Sequence, residues 1–236
     1  MNPVIFLRPV EFSIGSPDNA LIGLNLKYKL TDHHHLYAQA ILDEFKIREV
    51  RAGDGWWGNK HGFQLGWRAF SLFGVRNLDV GTEFNYVRPY TYQHRSSATA
   101  YAHFNQPLAH PLGANFSESI TSIAYSFNRW ALLSRFSIAD VGYDFNNVLD
   151  QVNYGNNVLL SYESRPDEYG NSTGQGLNTN VLNVELRLSY LINPSSNLVL
   201  EAGAKLRSAE NTFGKMDTRQ FWLGLRNVIS NRYLDF

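Results

Sequence analysis

The sequence contains no cysteine, carries no net charge and has no long apolar run. The absence of cysteine excludes disulfides, thiolate metal sites and cysteine nucleophiles. Lys plus Arg and Asp plus Glu both total 21, and no basic block is present, which argues against a nucleic-acid partner. No stretch approaches the roughly 18 apolar residues of a transmembrane helix, but strands of about 9–11 alternating residues can cross a membrane in a hydrophilic chain.

Motifs of several common enzyme classes are also missing from the 236 residues. The chain has no serine nucleophile elbow, no P-loop and no HExxH zinc motif. The sequence therefore predicts a protein that is not an enzyme and that needs no cofactor or metal.

Alternation of apolar and polar residues is the dominant pattern in what is present. It is clearest in Leu78–Val87 and Asn180–Ile192, where one set of alternate side chains is almost entirely apolar or aromatic. This period of two indicates strands with one face against apolar surroundings. Helix propensity competes in LYAQAILDEFK, but the short turn before it favours a hairpin partner. Ten strands are predicted, in the segments Val4–Ile14, Ala20–Leu30, Leu36–Asp43, Phe63–Phe70, Leu78–Val87, Thr121–Phe127, Trp130–Ile138, Asn180–Ile192, Leu198–Leu206 and from Phe221 onward.

The lengths of the connections indicate how these strands are arranged. Short connections are predicted after Leu30, Phe73, Phe127 and Ile192, and long ones after Phe45, Tyr92, Asp140 and Arg207. Such alternation is typical of an antiparallel up-and-down outer-membrane β-barrel, with aromatic residues near the strand ends. A soluble two-sheet sandwich is the alternative, although its strands are usually shorter, about 5–6 residues. We predict an all-β fold and a single barrel domain over residues 1–236.

The long loop at residues 88–115 concentrates aromatic, histidine and asparagine side chains with little charge. Aromatic rings pack on the apolar faces of sugars, while amide and guanidinium groups bond sugar hydroxyls. Alternatively, the same side chains pack the loop onto itself or plug the lumen. A metal site formed by His94, His103 and His110 is less well supported, because no carboxylate lies at ligand spacing from these histidines. The candidate ligand-binding residues of this loop are Arg88, Tyr90, Tyr92, His94, Tyr101, His103, His110 and Asn115.

Two further clusters invite a functional interpretation. Trp56 and Trp57 in GDGWWGNK could stack on a sugar, but the position of girdle residues at the membrane interface is favoured. The three adjacent histidines His33, His34 and His35 point in different directions, which favours a solvated turn over a metal site.

Four runs of the sequence carry a resemblance to a known family. They are RPVEFSIGSPDNALIGL (Arg8 to Leu24), NYVRPYTYQH (Asn85 to His94), HFNQPLAHPLGANFSE (His103 to Glu118) and GLRNVISNRYLDF (Gly224 to Phe236). The chain resembles the Wzi-type capsule assembly proteins, in particular the Bacteroidetes branch that includes RemB-like gliding proteins. This resemblance implies a large outer-membrane barrel whose outer loops bind surface polysaccharide. The chain would supply about half of the family's strands, so we expect a C-terminal part of a larger barrel that does not close alone.

These observations lead to two functional hypotheses. In the first, the protein lies in the lipid bilayer of the cell outer membrane and binds capsular or other surface polysaccharide through its outer loops. In the second, it is a platform of gliding motility or surface secretion. A diffusion porin is disfavoured, because long Pro-rich loops tend to occlude a lumen. The terminal Phe236 resembles the signal read by the barrel assembly machinery, which is therefore another predicted partner.

Overall fold

The protein is built around one large antiparallel sheet. The computed structural model describes residues 21–44, 46–146 and 151–227, so the predicted strand at residues 4–14 lies outside the described residues. The strands are β1 (Ile22–Lys29), β2 (His34–Glu44), β3 (Lys60–Ala69), β4 (Leu78–Val87), β5 (Ala102–His103), β6 (Gln106–Pro107), β7 (Phe116–Phe127), β8 (Trp130–Tyr143), β9 (Phe145–Asn146), β10 (Gln151–Val152), β11 (Leu177–Asn193), β12 (Leu198–Asn211) and β13 (Gly214–Asn227).

The nine long strands pair in the order β1-β2-β3-β4-β7-β8-β11-β12-β13, each with its neighbour along the chain. The other four strands form two short hairpins, β5-β6 and β9-β10. The prediction of sequential antiparallel pairing is confirmed for every predicted strand within the described residues, including β2. The two-sheet sandwich is not formed there, because only one sheet has more than two strands.

One face of the sheet is apolar and exposed to the surroundings. Side chains that alternate along each strand point to this face, as the sequence pattern predicts. Leu186 is 50% exposed, and Leu223 at the β13 edge is 75% exposed. Other exposed members of the apolar face are Leu24, Leu26, Leu65, Phe84, Ile123, Phe136 and Leu206. A contiguous apolar surface of this kind indicates contact with an apolar partner or solvent.

The opposite, polar face is covered at one end by the long loops. Val87, Phe116 and Val141, from three neighbouring strands, pack there against loop residues such as Tyr92 and Val158. The main hydrophobic core thus lies between the polar face and the loops.

The connection between β12 and β13 corrects one prediction. A long loop was expected after Arg207, but β12 continues to Asn211, which pairs directly with Gly214. The strand pattern extends because Ser208 and Glu210 pair with residues of β13 in unbroken register. Long loops therefore follow β2, β4 and β8 only, within the described residues.

In the described part of the chain, helical structure is confined to short segments. The α-helix α1 (Ile47–Ala52) lies at the start of the region that the sequence predicts as a loop, and it ends at Gly53 in the left-handed conformation. Single 3-10 turns occupy Leu72–Gly74, Ser97–Thr99 and Tyr162–Ser164. Over the residues that the structure describes, no helix is long and apolar enough to span a membrane.

Among the described strands, β1 and β13 are the first and the last of the large sheet. Across the described residues these two strands do not pair with each other. The expectation that the chain does not close into a barrel alone stays a prediction.

Candidate functional site

The long loops join into one structured unit, which we call the loop layer: residues 46–59, 88–115, 144–146 and 151–176. Its centre is a reciprocal pair of amides. Gln93 Nε2 donates to Asn153 Oδ1 at 3.1 Å, and Asn153 Nδ2 donates to Gln93 Oε1 at 3.0 Å. Both residues are completely buried. Buried amides are stabilising only when their bonds are satisfied, so this pair fixes the two longest loops against each other.

Asn115, at the junction of the loop with β7, makes a second set of bonds between the loops. Its Nδ2 donates to the carbonyls of Gly142, Tyr154 and Gln175 at 2.7, 3.2 and 2.9 Å. Its Oδ1 accepts from the backbone N–H of Gly174 at 2.7 Å. Asn115 is fully buried, so it positions the loops and presents no surface to a ligand.

Tyr90 and Tyr92 are also interior residues of the loop layer. Tyr90 is 0% exposed, and its hydroxyl donates to the Asn153 carbonyl at 3.1 Å. The backbone N–H of Tyr92 donates to Asp43 Oδ2 at 3.0 Å. Burial raises the pKa of both phenols, and burial together with the nearby Asp43 carboxylate raises the pKa of Tyr92 to about 12. These two tyrosines therefore pack the loop onto its neighbours, which is the alternative to ligand binding that the sequence left open.

Trp56 and Trp57 are buried in the loop layer, which corrects their predicted position at an exposed membrane girdle. They are 6% and 8% exposed. Trp57 packs against Tyr162, with ring centroids 4.7 Å apart, and edge-on against Tyr90. Its Nε1 donates to Glu168 Oε2 at 2.8 Å. The sequence pattern missed this packing because these partners come from distant loops.

Lys60 and Asp43 form a buried charged pair beneath the tryptophans, which sequence reasoning also missed. The Lys60 side chain is 1% exposed, and its Nζ lies 4.0 Å from Asp43 and 3.3 Å from Glu44. The same ammonium donates to the Gln93 carbonyl at 3.1 Å and lies 4.4 Å from the Tyr162 ring centroid. A buried charge requires such pairing, so this cluster anchors the loop layer to β2 and β3.

The two half-buried candidates at the start of the loop also have partners within the layer. Arg88 Nη2 donates to the carbonyl of Asn171 at 3.1 Å, and burial lowers the pKa of its guanidinium. His94 Nδ1 lies 2.7 Å from the Thr99 hydroxyl, and its ring meets Tyr162 edge-on.

His110 lies between the loop layer and the polar face of the sheet. Its ring stacks on Phe116 at 4.5 Å, and its Nε2 lies 3.1 Å from Glu118 Oε2. The backbone N–H of Leu112 donates to Nδ1, which leaves the proton of the neutral ring on Nε2. Glu118 Oε2 has no hydrogen-bond partner, so the 3.1 Å approach of His110 Nε2 is a close contact and not a hydrogen bond.

The candidate histidines do not converge on one point. His94 contacts Thr99, His110 contacts Glu118, and His103 packs against Phe104. Nowhere in the described residues could three or more His, Cys, Asp or Glu side chains hold a metal ion. His33 to His35, at the opposite end of the sheet, contact Phe70 and Trp67 separately.

The β5-β6 hairpin presents an aromatic pair at the tip of the loop. Phe104 and Asn105 form its two-residue turn, both with positive φ. Phe104 is 87% exposed, and the His103 ring lies 4.2 Å from it. Sequence reasoning identified His103 but missed Phe104; the signal was an aromatic residue next to asparagine at a two-residue turn.

Comparisons with known proteins add no relative. A scan of the chain against models of protein families finds no match, and a search of proteins with curated functions finds none either. The resemblance to the Wzi-type family therefore stays a prediction.

Proposed function

We propose that this chain forms part of the wall of an outer-membrane β-barrel of the capsule assembly type, with the loop layer outside the cell. The observation that carries this proposal is the exposed apolar face of nine strands, opposite a polar face covered by loops at one end. Lipid would cover the apolar face, and the polar face would line the interior.

The size of the apolar face favours lipid over water as its surroundings. Transfer of one exposed leucine side chain from water to an apolar environment is favourable by about 1.5–3 kcal/mol. The face carries exposed apolar side chains along its whole width. The strands β2, β4, β7, β8, β11, β12 and β13 contain 10 to 17 residues, against the roughly 9–11 needed to span a bilayer.

Surface polysaccharide is the proposed ligand of the loop layer. The exposed rings of Phe104 and His103 at the tip supply flat surfaces for the apolar faces of sugars. The buried candidates Tyr90, Tyr92, Asn115, Trp56 and Trp57 hold the loops in place beneath this tip. Arg88 and His94 have the same supporting role.

A platform for gliding or surface secretion is the second candidate. Phe104 and Leu108, which is 55% exposed, would equally suit an apolar site on a partner protein. The two candidates differ in whether the tip is needed to retain polysaccharide.

Substitution of the tip aromatic tests the polysaccharide proposal. In a strain that lacks the wild-type gene, Phe104→Ala should release surface polysaccharide into the medium, with normal levels of the protein in the outer membrane. Phe73→Ala is the matched control, because Phe73 is 90% exposed and also has a positive φ, but lies at the opposite end of the sheet. Unchanged retention in the Phe104 variant would favour the platform. Replacing Tyr90 or Tyr92 would be uninformative, because removal of a buried ring costs about 3–5 kcal/mol.

A further inference from the structure

Four side-chain amides form a continuous row across the polar face of the sheet. Asn25, Gln39, Gln64 and Asn85 are directly opposite one another on β1 to β4. We call this set the amide row. Neighbouring strands are about 4.8 Å apart, so the row repeats an amide group at about this interval across four strands.

Half of the amide row is free to bond a ligand. Gln64 Nε2 donates to Asn85 Oδ1 at 3.0 Å, and Asn85 Nδ2 donates to Glu83 Oε1 at 2.9 Å. In the described part of the chain, the side chains of Asn25 and Gln39 make no hydrogen bond, and both are exposed. Each of them offers two N–H donors and a carbonyl acceptor.

The loop layer forms a roof over this row. Tyr92 and Tyr101, with ring centroids 5.8 Å apart, line the resulting cavity together with His110 and Phe116. The cavity has a volume of about 370 Å³, which lies within the usual range of small-molecule sites, about 300–1,000 Å³. It lies between the loop and the sheet, whereas Phe104 is at the exposed tip of the same loop.

The charge of the lining restricts the class of ligand. No Lys, Arg, Asp or Glu lines the cavity among the described residues, and the histidine of the lining, His110, already faces the Glu118 carboxylate at 3.1 Å. The phenol of Tyr92 is neutral at physiological pH, because its pKa is about 12. A charged ligand would lose its hydration there without gaining a counter-charge.

We propose that this cavity binds a neutral, hydroxyl-rich ligand of one or two sugar units, with the amide row bonding hydroxyls and Tyr101 packing on the apolar ring face. The cavity is separate from Phe104 at the tip. Sugar binding in the cavity therefore does not depend on whether Phe104 retains polysaccharide. Amides recognise hydroxyls by donating and accepting together, and an aromatic ring adds a face for the C–H groups.

Titration of the purified full chain in detergent micelles tests this proposal. The probes are glucose, galactose, mannose and N-acetylglucosamine, followed by calorimetry and by saturation-transfer NMR. At least one of them should bind saturably, and glucose 6-phosphate and glucosamine should bind at least about tenfold more weakly than glucose or not at all. Absence of saturable binding by all four neutral sugars would overturn the proposal.

Matched variants locate the binding in the cavity. Gln39→Leu should weaken the best neutral sugar about tenfold, since a ligand hydroxyl loses its partner. Gln220→Leu is the control, because Gln220 is an exposed amide on the same face of β13, away from the cavity. Tyr101→Leu should weaken binding, and Tyr101→Phe should preserve it. Equal effects of the Gln39 and Gln220 variants would place the sugar elsewhere and refute the assignment.

Discussion

Asn115 combines a backbone conformation and a set of hydrogen bonds that few other residues could supply. Its φ is 59°, in the left-handed region that asparagine tolerates better than most residues. Its amide N–H groups point at three carbonyls, and its Oδ1 accepts a backbone N–H. Aspartate has nearly the same shape and similar backbone tolerance, but it has no donor when ionised.

We therefore expect Asn115→Asp to open the loop layer. A carboxylate facing three carbonyls should cost about 3 kcal/mol or more, since buried acceptors lose their donors and a charge is left unpaired. Limited proteolysis should then cut residues 151–176 much faster than in the wild type. Asn105→Asp provides the control, because Asn105 has the same φ of 59° but is exposed at the loop tip. Similar cleavage rates in both variants would show that the Asn115 amide is dispensable.

Tyr92 gives the loop layer a defined response to alkaline pH. Its phenol has a pKa of about 12 in the fold, against 10.0 for an ordinary tyrosine. Between these values the unfolded chain has lost this proton and the folded chain still holds it. Stability from this group is therefore complete below pH 10 and is lost as pH rises towards 12.

Comparison with Tyr92→Phe isolates this effect. Relative to the variant, the wild type should lose roughly 2–3 kcal/mol of unfolding free energy between pH 10 and pH 12. The phenol makes no described hydrogen bond, so phenylalanine should leave the packing intact. Urea unfolding followed by tryptophan fluorescence measures both proteins. Parallel pH curves for the two would show that Tyr92 titrates normally.

At the scale of the strands, two glycines give room to aromatic rings on the polar face. The Tyr37 ring lies over Gly66, and its hydroxyl donates to Glu83 Oε2 at 2.6 Å. Trp222 covers Gly203 in the same way, and its Nε1 donates to Glu201 at 3.2 Å. Each ring lies against a glycine, where the Cβ of any other residue would collide with it. Covering a glycine with a cross-strand aromatic ring is known to stabilise sheets.

Gly66→Ala should destabilise the sheet through Tyr37. A Cβ at position 66 would collide with the ring, which must move and break its bond to Glu83. We expect a loss of about 1–3 kcal/mol in unfolding free energy. Gly224→Ala should be nearly neutral, because no described atom lies within 4 Å of the added Cβ and the residue is also within a strand. Thermal unfolding in lipid vesicles compares the two, and equal melting temperatures would contradict the role of Tyr37.

The sequence allowed the strands to be predicted better than the loops, for a physical reason. Alternation along Leu78–Val87 reflects two different surroundings of one strand, so it is visible locally. Pairs such as Gln93 with Asn153 or Trp57 with Glu168 depend on residues 60 and 111 positions apart, and no local pattern records them. The same is true of the Lys60 charge cluster, because alternation says nothing about which charge a loop will bury.

At the scale of the whole molecule, the two faces of the sheet differ in chemical character. A polar face with the amide row and ion pairs such as Arg187 with Glu185 lies opposite a face of exposed Leu, Phe and Ile side chains. Register errors are excluded by this division, because a shift of one residue would exchange the faces of a strand.

Site-directed spin labels on β11 and β12 test this division most directly. The chain has no cysteine, so labels attach only at introduced positions. Val184 and Leu206 are opposite one another on the apolar face, and Glu185 and Lys205 are opposite one another on the polar face. With the full chain in lipid vesicles, labels at 184 and 206 should be accessible to oxygen and shielded from a water-soluble nickel chelate. Labels at 185 and 205 should show the reverse, and equal accessibility of neighbouring positions to both reagents would contradict a membrane-embedded sheet.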